Sequence, residues 1–190
     1  MLALVTLTLA KSVLSQQTKI PTTHCHANER VQFSCRIGSK VVSLCAGSDV
    51  SKPAFLSYRY GLINKIENEF TARPDNKNRF YATVMPANPR AAVKQVWFDR
   101  VGIRYLLTEC VGGNCPQEGG LAVLRGDRVL MNGKCKYEME ANVGWFSDEL
   151  VTFDLNSSPW NARSTTELLV IVETDNYLEK LFPSPPGVWH

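Results

Sequence analysis

Short apolar stretches separated by turn signals follow one another through the chain between residues 31 and 137. Several of them alternate apolar and polar residues, as Val31-Gln32-Phe33-Ser34-Cys35 does, and this alternation is typical of half-buried strands. The predicted strands are Val31–Cys35, Val41–Cys45, Phe55–Tyr60, Lys65–Phe70, Arg79–Met85, Val96–Phe98, Ile103–Thr108, Leu121–Arg125 and Arg128–Met131. Eight or nine short strands with no helix between them predict an all-β domain. We expect an antiparallel β-barrel or a sandwich, because both arrangements protect exposed strand edges.

The stretch from Val96 to Cys135 carries the clearest local signals. Residues Asp99 to Gly102 form a turn signal, in which Gly102 is free to adopt a positive φ angle. Gly126-Asp127 is typical of a two-residue type II′ turn, with glycine at the first central position. That turn places Arg125 directly opposite Arg128, where the two like charges repel each other. A nearby carboxylate, a partner or plain exposure to solvent would relieve this repulsion. The stretch therefore predicts two successive hairpins.

Residues 1–15 resemble a secretory signal, with an apolar run followed by small residues at cleavage-like spacing. The run is far shorter than the roughly 20 residues of a membrane span. Six cysteines after such a segment favour disulfides over free thiols. The sequence therefore predicts a secreted or periplasmic protein with no stable membrane insertion.

Six cysteines allow about 15 pairings, and the sequence by itself does not select one. A turn at Gly38-Ser39 would place Cys35 opposite Val42 and turn Cys45 to the other sheet face, because side chains alternate along a strand. The short loop from residue 110 to residue 115 contains glycines that allow a sharp bend. The pairings favoured by this geometry are Cys110 with Cys115, Cys35 with Cys135 and Cys25 with Cys45.

These signals divide the chain into a signal peptide at 1–15, a polar leader at 16–30, a β domain at 31–145 and a C-terminal extension at 146–190. In the extension, Ser164 and Glu167 have the spacing of a capping box, which predicts a helix that begins there. Tyr177 to Phe182 repeats apolar residues at helical spacing. Against a helix, Leu168 to Val172 is rich in β-branched residues, which favour a strand.

The most metal-like stretch is His24-Cys25-His26, whose two histidines would share one strand face. Two ligands do not complete a structural site, so a disulfide-bonded cysteine in a polar leader is the favoured interpretation, and no metal or cofactor is predicted. The net charge of +3 is small and its basic residues are dispersed, so a nucleic-acid partner is not expected either.

Carboxylate pairs are the sequence feature that an enzyme would need. Glu67 with Glu69, Glu138 with Glu140, and Asp148 with Glu149 have spacings compatible with glycosidase-type chemistry. Such pairs are routine on solvated strand faces. The three histidines lie near the chain ends, and the motifs of serine hydrolases, zinc proteases and phosphate-binding loops do not occur. No catalytic residue is predicted.

The order of elements from Phe33-Ser34-Cys35, through Gly102-Ile103-Arg104-Tyr105, to the hairpin that ends at Cys135 resembles the bacterial periplasmic and membrane-bound inhibitors of c-type lysozyme. The resemblance covers about residues 31–137 and implies a small disulfide-stapled β-barrel that binds an enzyme. In that family a serine of the tyrosine motif and a lysine before the last hairpin enter the lysozyme cleft. Here Val101 occupies the serine position and residues 116–119 read Pro-Gln-Glu-Gly, so those two contacts do not carry over.

Together these features predict a secreted or periplasmic binding protein, most concretely an inhibitor or immunity protein that occludes a cell-wall- or membrane-degrading enzyme. A rigid loop that needs little ordering on binding would fill the cleft of the target. The predicted contact residues are Asp99, Arg100, Val101, Gly102, Tyr105, Gly112, Gly113, Asn114, Gln117 and Glu118. The alternatives are a secreted hydrolase that uses a carboxylate pair and a structural envelope domain with no enzymatic target.

Overall fold

The computed structural model of the chain describes residues 23–49, 53–88, 91–112, 119–136, 150–152 and 163–172. These residues contain β-strands and no helix. The strands are β1 (Arg30–Ile37), β2 (Lys40–Ala46), β3 (Leu56–Leu62), β4 (Lys65–Ala72), β5 (Phe80–Asn88), β6 (Ala91–Arg100), β7 (Ile103–Gly112), β8 (Gly119–Arg125), β9 (Arg128–Lys134), β10 (Val151–Thr152), β11 (Arg163–Ser164) and β12 (Leu169–Ile171). The all-β class expected from the sequence is confirmed.

The strands form two main sheets. The first sheet has the antiparallel order β1-β2-β3-β4, and the second has the order β12-β5-β6-β7-β8-β9. All neighbours in the second sheet are antiparallel except β12, which runs parallel to β5, and β10 pairs with β11 separately. Short turns join β1 to β2, β3 to β4, β6 to β7 and β8 to β9, so these consecutive strands pair as antiparallel neighbours. Residues 47–55 form a longer connection between β2 and β3.

The turn chemistry fixed the register as the sequence predicted. Cys35 lies opposite Val42 across the Gly38-Ser39 turn, and Arg125 lies opposite Arg128 across the Gly126-Asp127 turn. The first glycine of each turn has a positive φ, 62° for Gly38 and 55° for Gly126. Since glycine carries no Cβ atom, it adopts this backbone conformation at little cost.

The two sheets enclose one apolar core that is rich in aromatic rings. Phe98 of β6 stacks on Phe70 of β4 and on Tyr105 of β7, with ring centroids 4.1 Å and 4.9 Å apart. Phe80 and Tyr58 contact Phe98 at angles of 77° and 59°. These offset and edge contacts suit the charge distribution of aromatic rings and link both sheets.

One side of this sandwich is closed and the other is protected. The Cys35–Cys135 disulfide joins β1 to the residues after β9, and the Lys136 N–H donates to the Arg36 carbonyl at 2.8 Å. The described strands form no closed barrel, so β4 keeps a free edge. Two of its carbonyls accept side-chain hydrogen bonds there, Glu69 from Arg100 and Thr71 from two asparagines. Side chains that occupy an edge in this way hinder its pairing with another chain.

The prediction of a C-terminal helix that begins near Ser164 is wrong for residues 163–172. Ser164 does accept a hydrogen bond from the Thr166 N–H, but it caps a turn between β11 and β12 rather than a helix. Leu169 to Ile171 instead lies along β5 in parallel pairing. The β-branched residues of this segment suit a strand, and the open edge of β5 offers hydrogen-bond partners. The predicted helix at Tyr177–Phe182 lies outside the described residues.

Two oppositely charged side chains lie buried on the core-facing side of the second sheet. Lys94 of β6 and Glu109 of β7 are directly opposed, and they alternate in phase with Val96 and Leu107 of the core. Their residues are only 5% and 1% exposed. Such burial of charge is costly in isolation, and the register places these two opposite charges on neighbouring strands directly across from each other.

Within the described part of the chain, no helix is long and apolar enough to cross a membrane.

Candidate binding site at a hairpin tip

The hairpin that joins β6 to β7 has an unusual residue at its tip. Arg100 pairs with Ile103, which leaves Val101-Gly102 as a two-residue loop. Their φ angles are 51° and 70°, the pattern of a type I′ turn, whose first position is normally occupied by asparagine, aspartate or glycine. A β-branched residue with a positive φ is a conformational outlier. Among the described residues, Val101 is the only non-glycine residue with this conformation.

The Val101 side chain gains nothing from the fold in return for this strain. It is 94% exposed and projects from the end of the sandwich. Backbone strain of about 1–3 kcal/mol persists where the surrounding structure imposes it, and it concentrates at binding and catalytic sites. A strained apolar residue that faces solvent therefore marks this tip as a candidate contact point.

The strands below the tip hold it rigidly. Arg104 and Asp99 lie opposite each other, and the guanidinium donates from Nε to Oδ1 and from Nη2 to Oδ2, both at 2.8 Å. A bidentate pair of this kind fixes both side chains in one plane. The same guanidinium lies 5.2 Å from the centre of the Trp97 ring, and Trp97 stacks on Tyr81. The tip is consequently preorganised.

The surface next to the tip is basic. Arg125 and Arg128, opposed across the neighbouring hairpin turn, are both exposed. Arg100 is exposed as well and reaches the Glu69 carbonyl with one of its nitrogens at 3.3 Å. Three arginines therefore lie at the same end of the sheet as the apolar tip, with Asp127 in the turn between two of them. Guanidinium groups are suited to a partner that carries carboxylates.

The remaining predicted contact residues do not join this tip. Tyr105 is half-buried, and its ring stacks in the aromatic core, so it supports the hairpin from within. Gly112 lies at the far end of β7, paired with Ala91. Ten residues of strand separate it from the tip, about 30 Å at 3.3 Å per residue. Gly112 therefore does not share a contact surface with the tip.

Gly113, Asn114, Gln117 and Glu118 lie outside the described residues. Cys110 is disulfide-bonded, while Cys115, the partner predicted for it, also lies outside them. The other two predicted disulfides are present, Cys35–Cys135 and Cys25–Cys45.

A second polar cluster, which sequence reasoning missed, lies on the outer face of the first sheet. Residues Thr23 to Glu29, assigned from sequence to the leader, pack there beside the Cys25–Cys45 disulfide. Arg59 donates to both oxygens of Glu29, to Glu69 Oε1 and to the His24 carbonyl. A lone arginine in an alternating strand gives no sequence signal for such a network, because its partners are distant along the chain.

This cluster is structural rather than metal-binding. The Sγ atoms of Cys25 and Cys45 and a carboxylate oxygen of Glu29 lie within 4.8 Å of one another. However, both sulfurs are consumed in a disulfide, and Glu29 is engaged by the cationic Arg59. His24 is buried, and its Nε2 donates to the Gly61 carbonyl at 3.2 Å. The described donors therefore do not make a cation site.

The carboxylate pair that falls within the described residues is also occupied. Glu67 pairs with Lys40, and Glu69 pairs with Arg59. Two carboxylates neutralised by separate cations are poorly placed to share acid and base roles. Glu138, Glu140, Asp148 and Glu149 lie outside the described residues.

Acidification should weaken the fold through Glu29. Burial raises the pKa of Glu29, but hydrogen bonds from Arg59 and from the His26 N–H, with the charge of Arg59, outweigh burial and hold the pKa below 4.5. A carboxylate whose pKa is lower in the folded state than in the unfolded state stabilises the fold at pH values above its unfolded-state pKa. This stabilisation is lost as the pH falls through the folded-state pKa. We expect the free energy of unfolding to decline below about pH 4.5, by up to about 1.4 kcal/mol per pH unit from this group.

The measurement is urea unfolding at a series of pH values for the wild type and Glu29→Gln. The Gln variant should show a flatter acid limb. Glu67→Gln, which removes a carboxylate from a surface pair, is the matched control and should keep the wild-type slope. An equally flattened acid limb in both variants would contradict the assignment of this pH dependence to Glu29.

Replacement of Val101 by asparagine should stabilise the protein. Asparagine tolerates a positive φ, so the change should raise the free energy of unfolding by about 1 kcal/mol through relief of strain. Chemical unfolding followed by circular dichroism measures this difference. Val129→Asn, at another exposed apolar position with an ordinary φ, is the control and should not stabilise the fold. A loss of stability in Val101→Asn would show that the tip is not strained.

Compared with known proteins, the chain matches no protein-family model, no curated protein and no solved structure. The resemblance to lysozyme inhibitors stays a prediction.

Proposed function

We propose that this chain is a secreted or periplasmic binding protein that occludes the cleft of a cell-envelope-degrading enzyme with its β6–β7 hairpin tip. The observation that carries the proposal is Val101, strained, apolar and almost fully exposed on a braced hairpin. Because the tip is already ordered, binding would require little further ordering of the loop. The disulfides support an oxidising compartment, where such bonds persist.

The charges beside the tip support a particular kind of cleft. Glycoside hydrolases hold two carboxylates across the scissile bond, and that site is open to solvent before substrate binds. Arg100, Arg125 and Arg128 would face such carboxylates while Val101 fills the apolar part of the cleft. Arginine is suited to this contact because its planar fork binds carboxylates through two hydrogen bonds.

The proposal is tested by measuring inhibition of purified peptidoglycan hydrolases, including a c-type lysozyme, by the oxidised protein. We expect at least one hydrolase to be inhibited stoichiometrically, with Val101→Asn weakening inhibition roughly tenfold or more, as for loss of a buried apolar anchor. Val129→Asn should inhibit as the wild type does. Because Val101→Asn should be the more stable protein, loss of inhibition cannot be ascribed to unfolding.

Two results would refute the proposal. One is the absence of inhibition across the panel. The other is inhibition equal to that of the wild type in both Val101→Asn and the charge-reversed double variant Arg125→Glu/Arg128→Glu.

A further inference from the structure

The end of the sandwich opposite the β6–β7 tip carries an exposed apolar knob. It consists of Leu62 and Ile63 at the β3–β4 turn and Ile66 at the start of β4, which are 38%, 41% and 42% exposed. Solvated positions of a sheet protein are normally polar, whereas this hairpin end exposes three large aliphatic side chains between residues 62 and 66, with Leu62 and Ile66 on its opposite faces. Exposed patches of this kind mark interaction surfaces.

The knob lies in a row of basic residues set by the strand order. Lys65 closes the β3–β4 turn opposite Leu62, and Lys40 begins the neighbouring strand β2. Arg36 of β1 pairs with Lys136, which follows β9, and Lys134 ends β9. The row therefore runs along one end of the molecule, from the last hairpin of the second sheet to the knob.

Few described carboxylates compensate the charge of this row. Glu67 forms an ion pair with Lys40. Among the described residues, none forms an ion pair with Lys65, Lys134 or Lys136, and all three are exposed. When an apolar knob is flanked by lysines, its aliphatic side chains can enter the acyl chains of a membrane. The lysine ammonium groups then stay at the lipid headgroups.

We propose that this end of the molecule docks reversibly on an anionic lipid surface, with Leu62, Ile63 and Ile66 inserted and Lys65, Lys134 and Lys136 at the headgroups. The shape of the knob favours lipid over a folded protein partner, because it projects from a hairpin turn and does not form a groove. Docking of this kind is peripheral and does not span the membrane. It would leave the β6–β7 tip pointing away from the membrane, since Gly61–Lys65 and Val101-Gly102 lie at opposite ends of the two sheets.

Vesicle binding tests this proposal with the oxidised full chain. Vesicles of equal parts phosphatidylglycerol and phosphatidylcholine should pellet the protein, and vesicles of phosphatidylcholine alone should bind it much more weakly. Ile63→Asp should lower the partition coefficient roughly tenfold or more, because an apolar side chain that enters the acyl boundary becomes a charged one. Lys65→Glu should lower it roughly tenfold, since each surface lysine adds attraction to anionic lipid.

Val101→Asp is the matched control, an exposed apolar residue changed to the same acid at the opposite tip, and it should bind vesicles as the wild type does. Circular dichroism and the unfolding midpoint verify that all variants fold. Ile63 has no positive φ, so its replacement does not change backbone strain.

Several outcomes would overturn the proposal. No binding of the wild type to anionic vesicles would do so, as would equal loss of binding in Val101→Asp and Ile63→Asp. Retained, salt-sensitive binding of Ile63→Asp would reveal surface charge attraction without insertion. Self-association in sedimentation velocity that Ile63→Asp abolishes, without vesicle binding, would assign the knob to contacts between copies of this chain. None of these outcomes bears on inhibition by the β6–β7 tip.

Discussion

Replacement of both Cys35 and Cys135 by alanine is expected to lower the free energy of unfolding by about 4–5 kcal/mol. The bond closes a loop of 100 residues, and the entropy that such a cross-link removes from the unfolded chain grows with the logarithm of loop length. It also joins β1 to the residues after β9, where the two sheets would otherwise separate. Guanidinium unfolding of the oxidised proteins measures the difference.

The Cys25–Cys45 bond supplies the matched comparison. It closes a loop of 20 residues, so its replacement by two alanines should cost about 3 kcal/mol on the same account. The long-loop variant should therefore be the less stable of the two. The reverse order would show that the packing of residues 23–29 on the first sheet contributes more than loop length.

Loss of one member of the buried pair Lys94 and Glu109 is expected to cost about 3–5 kcal/mol, because the other charge is left in the interior. Their directly opposed positions and near-complete burial make this a sensitive polar position within the described core. In contrast, Lys94→Met combined with Glu109→Leu replaces both charges by apolar groups of similar size. Such double replacements are often neutral or stabilising.

A double-mutant cycle on urea unfolding is the measurement. We expect both single variants to be strongly destabilised and the double variant to lie within about 2 kcal/mol of the wild type. Additive losses would indicate that the two side chains act independently. Arg104→Met with Asp99→Leu, which alters a half-exposed pair on the same two strands, should show a far smaller coupling energy.

Turn chemistry and alternation made most of the fold predictable. Glycine at the first central position fixed two hairpins in register, and that register in turn selected Cys135 as the partner of Cys35. Both signals are local, so a single sequence contains them. The alternation in Val31–Cys35 also placed Phe33 and Cys35 on the core face of β1.

The failures share a physical cause, which is competition from distant contacts. Ser164 with Glu167 satisfies a local helix rule, but the open edge of β5, about ninety residues earlier, pairs with Leu169–Ile171 as a strand. Arg59 looks solvated in sequence, yet Glu29, Glu69 and the His24 carbonyl surround it. Sequence spacing alone does not reveal such partners.

The candidate site was predictable in position but not in character. A turn at Asp99–Gly102 followed from Gly102, whereas the positive φ of Val101 did not, because a β-branched residue is the least expected choice there. Grouping that turn with Gly112–Glu118 required knowledge of strand direction. The ladder of β6 and β7 shows Gly112 at the far end, which separates this residue from the tip.

The parallel pairing of β12 with β5 has a consequence for synthesis of the chain. The backbone of Phe80 to Ala82 receives its outer hydrogen-bond partners from residues near position 170. While the ribosome extends the chain from residue 83 to that point, this sheet edge stays open to other chains. Export before folding, or a chaperone that holds the nascent chain, would therefore protect the protein during the interval in which it is most prone to aggregate.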